Sequence, residues 1–226
     1  MNNRTISKDG SVFVTDEIFN SSSHLAAAIF SLVGAVLLIV KSSAQANAWK
    51  IVSFSIYGLT LVLLFLASSI HHGIVSTPKI ENALKMLDYF AIFPLIAGTF
   101  TPLCLVPLRG AIGWSIFGII WGLAIAGITI KAIFPNIPKW TTNTIYVSMG
   151  WIGGVLAVPL YKALGFFPIA LLVLGGVFYT VGSIIFYSER PNFVKGKFGF
   201  HELWHIFVIL GALSHFMIMY IYILPY

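Results

Sequence analysis

Seven long apolar stretches separated by short polar clusters set the pattern of this chain, at 25–40 (extended back toward Phe19), 51–70, 87–106, 111–130, 144–160, 166–187 and 203–224. A bilayer core about 30 Å thick takes roughly 20 helical residues per crossing. Each stretch therefore predicts one membrane-spanning helix, and together they predict an all-α, seven-helix bundle. The loops are short and no Pro- or Ser-rich linker divides the chain. The expected organisation is an N-terminal segment, 1–24, followed by a single transmembrane domain, 25–226.

Composition agrees with the pattern: 58% of the residues are hydrophobic and 9% charged, outside the range of soluble globular domains. The start of the chain is polar and of mixed charge, unlike a cleaved signal peptide. A single cysteine, Cys104, excludes an intramolecular disulfide and a cysteine-rich metal site.

The net charge of +6 encodes topology rather than nucleic-acid binding. With seven crossings, the N-terminal tail shares a side with the loops after crossings two, four and six. That side carries Arg4, Lys8, Lys79, Lys85, Lys131, Lys139, Arg190, Lys195 and Lys197, nine of the 13 Lys and Arg. The opposite side carries Lys41, Lys50, Arg109 and Lys162. The positive-inside rule places the N-terminus in the cytoplasm and the C-terminus outside.

Small residues at Gly98, Gly153-Gly154 and Gly175-Gly176 suit close helix approach. Pro94 and Pro102 predict kinks in the third crossing. Trp114, Trp140, Trp151, Tyr222 and Tyr226 fall near expected interfaces and read as an aromatic belt.

Polar residues inside such a chain are costly unless partnered, so they mark function. On the predicted topology His72 ends crossing two, Asp88 starts crossing three, and His201 and His205 open crossing seven. All four share one depth in the inner leaflet, and Glu17, Asn20 and His24 reach the same leaflet. His201 and His205, four apart, stand on one helical face and offer two nitrogens to one metal. With His72 they make three imidazoles, which at a tetrahedral zinc ion leave one position open. Asp88 either handles the proton of a water there, which permits hydrolysis, or ligates the metal and closes the site. Iron or nickel would accept the same donors. Ser68, one turn before His72, is a candidate to orient a ligand or carboxylate.

His201-Glu202-Leu203-Trp204-His205 also fits H-E-x-x-H, in which the glutamate is a general base, making Glu202 a second catalytic candidate behind Asp88. His71 points about 100° away from His72 and reads as an interfacial histidine. His215 lies about 20 Å along the helix from His201 and reads as a hydrogen-bonded bundle histidine.

Taken together, Ser68-Ser69-Ile70-His71-His72, Leu87-Asp88-Tyr89, Ile96-Ala97-Gly98-Thr99-Phe100-Thr101-Pro102 and His201-Glu202-Leu203-Trp204-His205-Ile206-Phe207-Val208 resemble the hemolysin III branch of the progestin and adipoQ receptor family. Glu17-Ile18-Phe19-Asn20 followed by His24 is similar to that family's first motif. The resemblance spans nearly the whole chain. It implies a seven-helix protein of the cell membrane with a cytoplasmic N-terminus and an inner-leaflet zinc ion. It maps the Ser-x-x-x-His motif onto Ser68 and His72, the aspartate onto Asp88, and the last motif onto His201 and His205. His71 stands where this branch commonly has tyrosine. The short tail looks like that of bacterial members, and the wider superfamily includes alkaline ceramidases, which implies hydrolysis of a lipid amide.

Three functions are consistent with these features. The first is a zinc-dependent hydrolase of lipid amide or ester bonds, drawing a membrane-lipid substrate from the inner leaflet. The second is a non-catalytic sensor or homeostasis protein with structural zinc. The third is a pore-forming cytolysin, disfavoured because no crossing carries a stripe of charge. A G-protein-coupled receptor would place its N-terminus outside, a retinal protein needs a lysine that the last crossing lacks, and site-2-type proteases carry H-E-x-x-H early rather than last. The residues do not define a substrate or an oligomeric state, and no nucleic-acid partner is expected.

Overall fold

The computed structural model describes residues 8, 11, 15–194 and 197–226; Arg4 and Lys195 of the charge count lie outside them. Among the described residues there are seven helical crossings and no β-sheet. They are α1 (Glu17–Ala44), α2 (Ala48–Gly73), α3 (Pro78–Leu105), α4 (Ala111–Ile133), a fifth made of α5 (Lys139–Trp151), a 3₁₀ turn (Ile152–Leu156) and α6 (Ala157–Leu164), then α7 (Phe166–Ser188) and α8 (Phe200–Ile218), which continues as a π turn (Met219–Ile223).

Local chemistry sets the helix ends. Asp16 caps α1 by accepting hydrogen bonds from the Ile18 and Phe19 amides at 3.1 and 3.0 Å. Asn47 caps α2 through the Lys50 amide, and Pro78 occupies the first turn of α3, where its missing N–H costs nothing. Gly165 joins α6 to α7 at φ +85°, a left-handed conformation suited to glycine.

α3 begins nine residues before the predicted stretch. Residues 78–86 are polar but rich in strong helix formers, so hydropathy alone misses them. Asp88 is therefore not at a helix start but three turns inside α3.

Packing joins α1 to α2, α2 to α3, α3 to α5, α5 to α7, α7 to α8 and α8 back to α1, a closed ring with α4 lying outside against α3. α2, α3 and α8 are the most enclosed crossings, at 56, 56 and 44% of their apolar windows, and they carry the candidate site. Phe54, Phe65, Phe93, Leu103 and Ile120 fill the core around them. Large apolar side chains such as Ile29, Phe30, Val36, Ile125, Val158 and Phe167 face outward, as lipid contact demands.

The predicted glycine contacts divide. A Cβ on Gly98 would strike Thr60, and one on Gly175 would strike the His215 ring, so these positions do bring helices together. Gly153 would meet Phe100 at 3.3 Å, whereas Gly154, and Gly150 outside that set, have nothing within 4 Å of such a Cβ and Gly176 meets only Trp151 at 3.9 Å; Gly150, Gly154 and Gly176 stand apart. These three keep space open. Trp151 is at the middle of the fifth crossing, not at an interface, and its indole N–H donates to Thr180 Oγ1 at 3.0 Å.

Candidate metal centre

Helix ends far apart in sequence converge at one end of the ring. α2 delivers Ser68, His71 and His72 in its last two turns, α8 delivers His201 and His205 in its first two, and α3 adds Asp88. His72, His201 and His205 are all buried, and each offers a ring nitrogen within 4.8 Å of the other two. Their ring centroids are 4.9, 4.9 and 5.0 Å apart.

The donor set suits a metal. His72 Nδ1 lies 2.6 Å from Glu17 Oε2. A carboxylate only accepts, so in the neutral ring Nδ1 carries the hydrogen and Nε2 keeps its lone pair for coordination. A carboxylate behind a metal-ligating imidazole is a recurrent arrangement that fixes the ring and raises its basicity. His205 Nδ1 is buried with no hydrogen-bond partner, and its ring packs against that of His24 with centroids 3.8 Å apart and planes tilted by 33°. Both nitrogens of His24 lack a hydrogen bond of good geometry, although its ring lies near the His205 backbone.

Replacing Glu17 with Gln keeps the shape and removes the charge. Metal affinity is expected to fall about 10- to 100-fold, measured by competition with a chelator of known affinity. Unchanged affinity would show that the carboxylate does not support His72.

Asp88 is within 4.8 Å of nitrogens of His72 and His71, with the Ser68 side chain beside it. It belongs to that second group and not to the three-imidazole group. Ser68 thus reaches the carboxylate, one of the two roles its spacing allowed.

His71 differs from the expectation. It is 2% exposed rather than interfacial. His71 and His72 are both buried at the last turn of α2 while Ile70 and Gly73 are exposed, and Lys8 closes over the carbonyls of the two histidines. His215 matches its reading: Nε2 bonds the Leu172 carbonyl at 3.2 Å, and its ring packs on Gly175 and Tyr179.

Glu202 is committed elsewhere. One carboxylate oxygen accepts from the Asp16 amide at 2.6 Å and from Asn20 Nδ2 at 3.4 Å, and the other accepts from the Gly199 amide at 2.8 Å. It caps α8 and ties α1 to it. Sequence reading placed Glu17 at the right depth but gave it no partner, since no spacing rule connects residues 17 and 72. It missed Lys8, whose ammonium donates to the His71, His72 and Ile74 carbonyls at 3.0, 2.8 and 2.6 Å and closes the end of α2.

A cavity of about 190 Å³ runs inside the ring from His72, Asp88 and His201 past Tyr179 to His215. On α8 that span is about 20 Å. Its walls between the two ends are mainly apolar, with Leu64, Ile92, Leu103 and Leu172 among them, and the open glycines Gly150, Gly154 and Gly176 line it.

Seven crossings around a buried three-histidine group define a heptahelical membrane protein with a candidate metal centre. The chain belongs to the haemolysin-III-related family, whose profile matches residues 13–216. It is 39% identical to Hemolysin-3 of Bacillus cereus over 213 residues, covering 94% of each chain. It is 35% identical to the Hemolysin-3 homolog of Bacillus subtilis over 209 residues, 92% of this chain and 95% of that one. A more distant similarity, 26% over 210 residues, covers 90% of this chain and 83% of the human Monocyte to macrophage differentiation factor. The family and the seven apolar helices make it a multi-pass protein of the cell membrane.

Proposed function

We propose that the protein is a zinc-dependent hydrolase of amide or ester bonds in membrane lipids. The observation that carries this reading is the placement of three buried imidazoles, with the Ser68–Asp88 pair beside them, at the head of an elongated apolar cavity. His72, His201 and His205 would hold zinc, which would supply Lewis acidity toward a carbonyl and lower the pKa of water toward neutrality. Glu17 orients His72. Asp88, steadied by Ser68, takes the proton released in attack and returns it to the leaving group. The cavity holds an acyl chain, which fixes the scissile carbonyl at the histidine end and excludes bulk water. On the basic-residue count this end faces the cytoplasm.

The test is turnover by purified, zinc-loaded protein of lipid amides and esters from a bacterial membrane extract, followed by mass spectrometry of released fatty acid. No release, in conditions where a ceramidase control is active, sinks the reading. Gly176→Leu should fill part of the cavity and lower turnover of long-chain substrates at least tenfold with zinc content unchanged.

A second reading, zinc as a structural tie in a non-catalytic protein, is supported by the bonds of Glu17 to His72 and of Asp16 and Asn20 to Glu202, which already knit α1, α2 and α8. Its discriminating residue is Asp88. The name Hemolysin-3 borne by two relatives suggests cytolysis, but conductance would need a charged or wetted path, and the cavity walls are mainly apolar.

A further inference from the structure

At the end of the bundle opposite the histidines, a second pocket of about 160 Å³ is lined by Asn47, Trp49, Lys50, Leu105, Val106, Arg109 and Tyr226. Lys50 is 4% exposed. Its ammonium donates to Gln45 Oε1 and to the Leu224 carbonyl, both at 2.7 Å, two neutral acceptors that leave one N–H unspent and the charge uncompensated. Arg109 lies over the Trp49 ring at 4.9 Å and, among the described residues, makes no hydrogen bond. Neither cation has a carboxylate within ion-pair reach among the described residues.

Carboxylate side chains are missing from the segments around the pocket. The segments joining crossings there, 45–47, 106–110 and 165, hold no Asp or Glu. Two cations of different geometry, a compact ammonium and a planar fork, converge at the membrane boundary, beside the paired rings of Trp49 and Trp114 at 5.9 Å. A tetrahedral oxyanion meets both, with the fork taking two oxygens and the ammonium a third.

We propose that this pocket is a phosphate site, filled by the phosphodiester of an acidic phospholipid from the adjoining leaflet. Basic pockets between membrane helices recognise such headgroups through charge and hydrogen bonding together. Phosphatidylcholine carries the same phosphodiester but adds a cation that the two positive side chains repel.

The test uses the full chain in nanodiscs of phosphatidylcholine, with thermal unfolding followed as phosphatidylglycerol or, separately, inorganic phosphate is added at constant ionic strength. The wild-type protein should gain stability with phosphatidylglycerol at a midpoint at least tenfold lower than Arg109→Gln, while the two proteins unfold at the same temperature in phosphatidylcholine alone. Arg109→Lys should restore part of the gain. Equal response of wild type and Arg109→Gln, or none in either, overturns the site. An Arg109-dependent response to inorganic phosphate that matches that to the lipid overturns the lipid as its source. Zinc-site activity plays no part in the readout, so this result stands apart from the proposed hydrolysis.

Discussion

Asp88→Asn is expected to cut lipid turnover by about 10²- to 10⁴-fold, the usual contribution of a positioned general acid or base, while zinc content and melting temperature stay at wild-type values. The amide has nearly the shape of the carboxylate and keeps the contact with Ser68, but it cannot take a proton. Separation of the two readouts matters because Asp88 lies within 4.8 Å of His72 and His71 yet outside the three-imidazole group. Loss of zinc along with activity would make Asp88 a ligand and support the structural reading of the site. Full activity in the Asn variant would remove Asp88 from the chemistry altogether.

His205→Ala is expected to lose the metal itself. His205 is 1% exposed, and its ring centroid lies 4.9 Å from that of His72 and 5.0 Å from that of His201, so its removal leaves two of the three imidazoles. Because replacing even a supporting partner costs 10- to 100-fold in metal affinity, loss of a ligand should bring zinc per chain below about a tenth of the wild-type value. At a thousandfold excess of metal over its dissociation constant, bound zinc contributes about 4 kcal/mol of stability. Chelation should therefore lower the wild-type melting temperature and leave that of His205→Ala unmoved. One zinc per chain in the variant would place the ion elsewhere.

Which parts of this picture were readable in the sequence follows from the range of the forces involved. Hydropathy is local and strong, so all seven crossings could be placed, most within a few residues. It failed where a helix left the apolar layer, at residues 78–86, and where a crossing broke, at the 3₁₀ turn Ile152–Leu156. The convergence of His72 with His201 and His205 could be inferred because topology fixes depth in a membrane. Rotation about a helix axis is set by neighbours instead. His71 therefore looked interfacial, and the Glu17–His72 and Lys8–α2 contacts, separated by 55 and more residues, carried no signal. For Glu202 the motif and the cap share the same letters, since a glutamate at the third position of a helix serves either purpose.

That coincidence has a practical edge for anyone seeking to block the protein. In H-E-x-x-H zinc proteases the motif's glutamate is the general base beside the metal, so a chelating compound there has that carboxylate within reach. Here both oxygens of that glutamate are taken by Asp16, Asn20 and Gly199. On the proposed zinc chemistry, a chelating compound would find its proton partner on a different helix, at Asp88, and would carry a hydrocarbon tail down the cavity. Selectivity against soluble zinc proteases would then come from the direction of one hydrogen bond rather than from the metal.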